Sequence, residues 1–314
     1  MWSPNTAGRV LGQVPTSTGS AVPARRPVSM PALLVTSARP RQMVKNLLVL
    51  AAPFAAGALG DPVVVGRAAG AVLAFAAAAA GVYLLNDVLD AGGDRMHPTK
   101  RLRPVAAGLL TPLVAVTASV VLLLAAGIGS LLVTPGLTLV VLCYVQLQLA
   151  YCLWLRRQPV LDISLVAAGF VLRVVGGAVA TDVPLSTWFL FATAFGSLFM
   201  VSGRRYAEMQ IRDRTGVAGR ASLDGYSSSY LRFVWSSSAT MAILAYLSWS
   251  YQASRAGSPL VGLAAAAFIL AVLVYALDVD RGSAGAPEEV ALRSRVLQLL
   301  AAAWLTAMTL GIYL

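Results

Sequence analysis

The chain has 314 residues, 58% of them hydrophobic and only 12% charged, with a formal net charge of +11. A soluble domain carries roughly 25% charged residues, so a soluble globular enzyme is excluded. A mean hydropathy of +0.75 and repeated apolar runs of about 20 residues indicate an all-α polytopic protein of the lipid bilayer. The basic excess of such a chain reads first as membrane topology, and no nucleic-acid partner is expected.

Residues 1–28 are rich in Pro, Ser, Thr, Gly and Arg. They predict a disordered cytoplasmic tail ahead of a transmembrane domain over 29–314. No apolar h-region is present there, so the tail is not a secretory signal peptide. Nine spans are expected, at roughly 43–60, 67–86, 109–130, 135–155, 160–180, 187–203, 232–252, 258–277 and 294–313. Of the 24 Lys and Arg residues, 21 fall in the tail or in alternate gaps between these spans. Only Arg67 and Arg255 occupy the other gaps, and Arg173 lies inside the fifth span. The positive-inside rule then puts the N-terminus and the basic loops in the cytoplasm and the C-terminus outside the cell membrane.

The first span opens on PRQMVKN, with Lys45 and Asn46 side by side. Lysine occurs twice in the chain against 22 arginines. A lysine at a helix start opposes the macrodipole, so Lys45 needs an anionic partner, either a lipid headgroup or a substrate phosphate.

The second span ends in NDVLDAGGDRMHPTKRLRP, residues 86–104. At 100° per residue, Asn86, Asp90, Asp94 and Asp87 fall within about one quarter of a helix. Hard oxygen donors gathered on one face repel each other unless a cation lies between them. Mg²⁺ takes one or two carboxylates and completes its octahedron with phosphate and water. Asn86, Asp87, Asp90 and Asp94 are therefore candidate metal ligands and catalytic residues, three or four of them around one cation. Gly92 and Gly93 predict that the helix loosens there and that Asp94 sits on a turn. His97 (the only histidine), Lys100, Arg101 and Arg103 follow, between Pro98 and Pro104. This is a phosphate-binding composition, although positive-inside signalling alone also accounts for the arginines.

Cys143 and Cys152 lie nine apart in an apolar run, a spacing that matches no metal or redox motif. In the fifth span Asp162 and Arg173 fall about 20° apart on the helical wheel. An arginine at mid-span must face the bundle interior or water. It serves either a buried polar tie between helices or contact with an anionic substrate. After the sixth span, Arg204, Arg205, Tyr206 and Glu208 form a second, net cationic cluster, and Asp213, Arg214, Arg220 and Asp224 follow in the loop. Phosphate and hydroxyl recognition is expected there, with Glu208 as an acceptor.

N-D-x-x-D-x-x-x-D on the second helix, nine helices and a polar loop after the sixth resemble the UbiA superfamily of prenyltransferases. The wording PRQMVKN, NDVLDAGGDRMHPTKRLRPVAAG, PVLDISLVAAGFVLR, STWF and GRRYAEM resembles an actinobacterial branch of it, over about residues 38–314. The resemblance implies a bundle around a central cytoplasm-facing cavity. It implies transfer of 5-phosphoribose from phosphoribosyl pyrophosphate to decaprenyl phosphate, with release of pyrophosphate, on the route to the arabinose donor of the cell wall. It further implies Mg²⁺ on Asn86, Asp90 and Asp94. Phosphates and ribose would be held by Lys45, His97, Lys100, Arg101, Arg103 and the Arg204–Glu208 cluster. The branch is expected to carry Lys at position 204, where Arg stands. RRYAE also replaces the second aspartate-rich motif expected of aromatic prenyltransferases. A prenyltransferase with an aromatic or glyceryl-phosphate acceptor is the alternative within the superfamily, and an anion transporter is the alternative outside it. The sequence sets no oligomeric state, and a homo-oligomer is one arrangement it allows.

Overall fold

The computed structural model describes residues 29–97, 99–216, 221–253, 259–282, 290 and 294–313. The expected tail, Pro98 and Arg220 lie outside the described residues. Regular structure among the described residues is entirely helical. A short α1 (Met30–Ser37) precedes a broken segment made of α2 (Pro40–Met43), a 3-10 stretch (Val44–Leu50) and α3 (Ala51–Ala55). The long helices are α4 (Pro62–Met96), α5 (Pro112–Val133), α6 (Pro135–Leu153), α7 (Leu161–Thr181), α8 (Thr187–Thr215), α9 (Ser228–Ala253), α10 (Pro259–Asp280) and α11 (Arg295–Tyr313).

Three of these helices begin with the same device. Asp61, Thr111 and Thr134 accept hydrogen bonds from the backbone N–H of Val63, Val114 and Leu137, and a proline follows each cap. The cap satisfies an orphan donor, and proline, which lacks an N–H, suits the first helical position. Among the described residues six helices (α4, α5, α6, α7, α10 and α11) are long and apolar enough to cross a membrane. Half or more of the apolar stretch of α4 (56%) and α7 (50%) is buried, against at most 22% for the other four. Hence α4 and α7 form the centre, and the rest turn leucines such as Leu113, Leu132 and Leu299 outward.

Two expectations are corrected. The first span is not one helix over 43–60. It tightens into the 3-10 stretch where it meets α7, because a side chain at Gly177 would come within 1.9 Å of the Val49 carbonyl oxygen. The backbones touch directly, as small residues allow in membrane bundles. Nor does the second helix loosen at Gly92 and Gly93. It runs unbroken to Met96, so Asp94 is helical. Arg95 donates to the carbonyl of Ala106 at 3.3 Å and Arg103 reaches Asp94, so the following loop folds back and holds this last turn.

Candidate active site

The last three turns of α4 bring Asn86, Asp90 and Asp94 onto one wall of a cavity of about 630 Å³. Asn86 donates its amide N–H to Asp90 at 3.1 Å. A guanidinium group meets each carboxylate, from the loop that follows α4 or from more distant parts of the chain. Arg156, in the α6–α7 turn, reaches Asp90 at 2.7 Å. Arg103 reaches Asp94 at 2.6 Å and Asp87 at 3.4 Å. Arg39 reaches Asp87 at 2.6 Å and lies over the Tyr83 ring, 4.8 Å from its centroid. Asp87 is buried and does not line the cavity. The lining holds two carboxylates against five cations: Arg39, Lys100, Arg103, Arg156 and Arg157. Low-dielectric walls around unequal charge strengthen attraction for an anion.

His97 also lines the cavity. Its Nδ1 lies 3.3 Å from the Thr99 N–H and 3.4 Å from the Lys100 N–H, so the ring caps the 3-10 turn Lys100–Leu102. Arg101 is exposed and is not part of the lining. Lys45 is half-buried, with its ammonium 5.9 Å from the Phe170 ring centroid, outside the lining.

Arg173 and Asp162 do not pair with each other, and neither lines the cavity. Arg173 is buried and donates to Asn46 Oδ1 at 2.9 Å, to the Gly169 carbonyl at 2.6 Å and to the Tyr144 hydroxyl at 2.9 Å. It ties the 3-10 stretch, α6 and α7 together. Asp162, fully buried, accepts from Arg205 Nε at 2.8 Å, from Ser222 at 3.0 Å and from the Tyr226 hydroxyl. Burial, then the carboxylate it donates to, push the Tyr226 phenol far above the usual tyrosine range. Arg205 also reaches Glu208 at 3.2 Å, and Arg204 reaches Glu208 at 3.0 Å. The buried Tyr206 hydroxyl accepts from Arg232 at 2.6 Å. The second cluster is thus a set of ties among α7, α8, α9 and the intervening loop, apart from the donor-rich cavity.

The UbiA prenyltransferase family model matches residues 47–312. The chain is a member of the UbiA prenyltransferase family. It is 48% identical over 283 residues to the decaprenyl-phosphate phosphoribosyltransferase of Mycobacterium tuberculosis, spanning 89% of this chain and 94% of that protein. The enzyme of the same name from Corynebacterium glutamicum is 45% identical over 289 residues, 90% of this chain and 87% of that one. A UbiA homolog from Archaeoglobus fulgidus, solved with GPP and Mg²⁺, shares the fold at a TM-score of 0.67 and 15% identity, covering 90% of this chain and 100% of that chain.

For this UbiA member the donor set is a test of whether Mg²⁺ fits. Among the described residues no three His, Cys, Asp or Glu side chains converge closely enough to enclose a metal ion. Asn86, Asp90 and Asp94 instead offer hard oxygens along one wall that faces many cations. That suits an ion which keeps most of its octahedron for phosphate and water, so the residues fit Mg²⁺ arriving with a diphosphate. From the sequence alone Arg39 and Arg156 read only as topology signals. Their partners lie 48 and 66 residues away. The local hint in the sequence is a pair of arginines at a helix end, Arg39 with Arg41 and Arg156 with Arg157.

Proposed function

We propose that this chain transfers 5-phosphoribose from phosphoribosyl pyrophosphate to decaprenyl phosphate or a related polyprenyl phosphate. The observation that carries this reading is the cavity in which two carboxylates face five cations. A donor with a diphosphate on C1 and a further phosphate on C5 needs one metal and several separate cations. The two relatives at 45% and 48% identity bear names that say the same.

In this reading Asn86, Asp90 and Asp94 hold Mg²⁺, which when bound neutralises the leaving diphosphate. Arg39, Arg103 and Arg156 release their carboxylates to hold phosphate oxygens, and bidentate guanidinium contacts fix their orientation. Lys100 and the His97-capped turn form the exposed rim through which a soluble donor enters. We assign Lys45 and the Arg204–Glu208 pair, which stand outside the lining of the donor cavity, to the acceptor phosphate. Asp162, Arg173, Arg205 and Tyr206 position the helices that carry these groups.

The bond from C1 to the pyrophosphate oxygen breaks as a bond forms from C1 to the acceptor phosphate oxygen. Positive charge develops on the ribose ring, and the leaving electron pair goes to pyrophosphate. Cations aimed at that oxygen stabilise the charge that develops there. The acceptor is already an anion, so no strong base is required, and a single in-line displacement inverts C1. The lipid tail of the acceptor stays in the bilayer, which accounts for a site at the membrane face. We further propose nine spans around this cavity, opening to the cytoplasm.

Membranes containing the protein, given labelled phosphoribosyl pyrophosphate, decaprenyl phosphate and Mg²⁺, should yield lipid-soluble label that chelation abolishes. Absence of that label, or label passing from a prenyl diphosphate to an aromatic acid, rejects the proposal.

A further inference from the structure

Arg156 approaches Asp90 from the α6–α7 turn, and the conformation of that turn is unusual. Val160 has φ of +68°, a value that β-branched residues rarely adopt. Such a conformation persists only where its surroundings hold it. The surroundings here come from the far side of the chain. The Tyr226 hydroxyl accepts the Val160 N–H at 2.6 Å and donates to Asp162. Gly225 lies against Pro159, where a Cβ would fall 2.2 Å from the ring. Ser222 and Arg205 hold the other oxygen of Asp162. The segment Ala221–Tyr226, between α8 and α9, therefore grips residues 159–162 from one side, while Arg156 and Arg157 project into the cavity from the preceding 3-10 turn Leu155–Arg157.

We propose that Tyr226 is a positioning residue that acts on the donor through Arg156. Its hydroxyl bridges the Val160 amide and the Asp162 carboxylate and so sets the turn from which Arg156 reaches the donor's diphosphate. The inference rests on the reading of the cavity as a pyrophosphate-donor site. It goes further in giving the α8–α9 loop a hand in a pocket built by α4 and α6. Among the described residues the Tyr226 hydroxyl bonds to Val160 and Asp162, neither of which lines the cavity.

The test is a double-mutant cycle on the full-length protein in nanodiscs, reading Kd for phosphoribosyl pyrophosphate and for pyrophosphate by calorimetry, alongside KM for both substrates. Arg156→Ala should weaken donor binding about tenfold, the loss of one charge-assisted contact. Tyr226→Phe, which keeps the ring stacked on Tyr230, should raise donor Kd and KM several-fold and leave the acceptor KM unchanged. The double variant should bind no worse than Arg156→Ala alone, since the two act as one unit. Gly225→Ala, which crowds Pro159 by another route, should reproduce the donor defect even if Tyr226→Phe fails to fold. Ser222→Ala removes a different bond to Asp162 and should leave donor Kd within about twofold. Multiplying losses in the double variant, an unchanged donor Kd in both Tyr226→Phe and Gly225→Ala, or an equal defect in Ser222→Ala each overturn the proposal. A wild-type protein that binds neither probe overturns the donor reading itself, and the positioning role with it.

Discussion

Asp90 and Asp87 are three residues apart on one helix and differ in what they face. Asp90 is part of the cavity wall, and its arginine partner is a third exposed. Removing it leaves a solvated guanidinium, which costs little. Asp90→Ala should abolish turnover in the membrane assay while the detergent-solubilised protein keeps its melting temperature. Asp94→Ala should abolish turnover and also lower the melting temperature, because Asp94 is buried and holds the Arg103 that pins the last turn of α4. Asp87 is 2% exposed and holds both Arg39 and Arg103. Asp87→Ala should therefore lower stability by about 2 kcal/mol, the scale of hydrogen bonds to charged groups, with a visible drop in melting temperature. Arg67→Ala, exposed at the other end of α4, should change neither reading. If Asp90→Ala retains near-wild-type turnover, the metal assignment is wrong. Arg173 makes the same point from inside the bundle. Its three nitrogens donate to Asn46, Gly169 and Tyr144, so Arg173→Leu strands buried polar groups. It should destabilise by about 2–3 kcal/mol in a melting experiment.

At the scale of elements, glycine substitutions separate packing from propensity. A side chain at Gly177 meets the Val49 carbonyl, a backbone atom that has no rotamer to give. Gly177→Ala should cost about 1–3 kcal/mol, as overpacking does, because the 3-10 stretch carrying Asn46 must lift off α7. Gly92 lies exposed near the C-terminal end of α4 with nothing within 4 Å of a Cβ. Gly92→Ala should stabilise α4 by about 0.5–1 kcal/mol. Both effects are read as shifts in melting temperature. The same pair shows what a sequence displays and what it conceals. The one-sided spacing of Asn86, Asp90 and Asp94 is legible because helical periodicity needs no partner. That α4 continues through Gly92–Gly93 is not, because the hold on Asp94 comes from Arg103 in a loop that folds back. The broken first segment is equally hidden. Its cause is one backbone oxygen against one glycine on a helix more than a hundred residues away.

The whole molecule bears on which way the chain faces. Arg39 meets Asp87 near the C-terminal end of α4, so the start of the Pro40–Ala55 segment lies at the cavity end of the bundle. The far end of that segment is marked by Tyr313, whose hydroxyl lies 3.2 Å from the Leu59 N–H and 3.4 Å from the Phe54 carbonyl. The chain therefore crosses the bundle an odd number of times between Arg39 and Tyr313. Among the described residues six helices qualify as spans by hydropathy alone, an even number, so we propose further crossings. The proposed nine adds the Pro40–Ala55 segment, α8 and α9. The serines of α9 do not forbid a crossing. Ser236 and Ser237 donate to the Phe233 carbonyl, Thr240 to that of Ser236 and Ser250 to that of Leu247. A hydroxyl satisfied within its own helix makes no demand on lipid. In the proposed orientation, with the basic loops on the cytoplasmic side, Tyr313 is extracytoplasmic. Alkaline phosphatase fused to the C-terminus should be active and a fluorescent protein at the same place dark. The same reporters joined ahead of Met30 should give the reverse. A C-terminal fusion that fluoresces, with active enzyme retained, overturns the odd count and the orientation drawn from it.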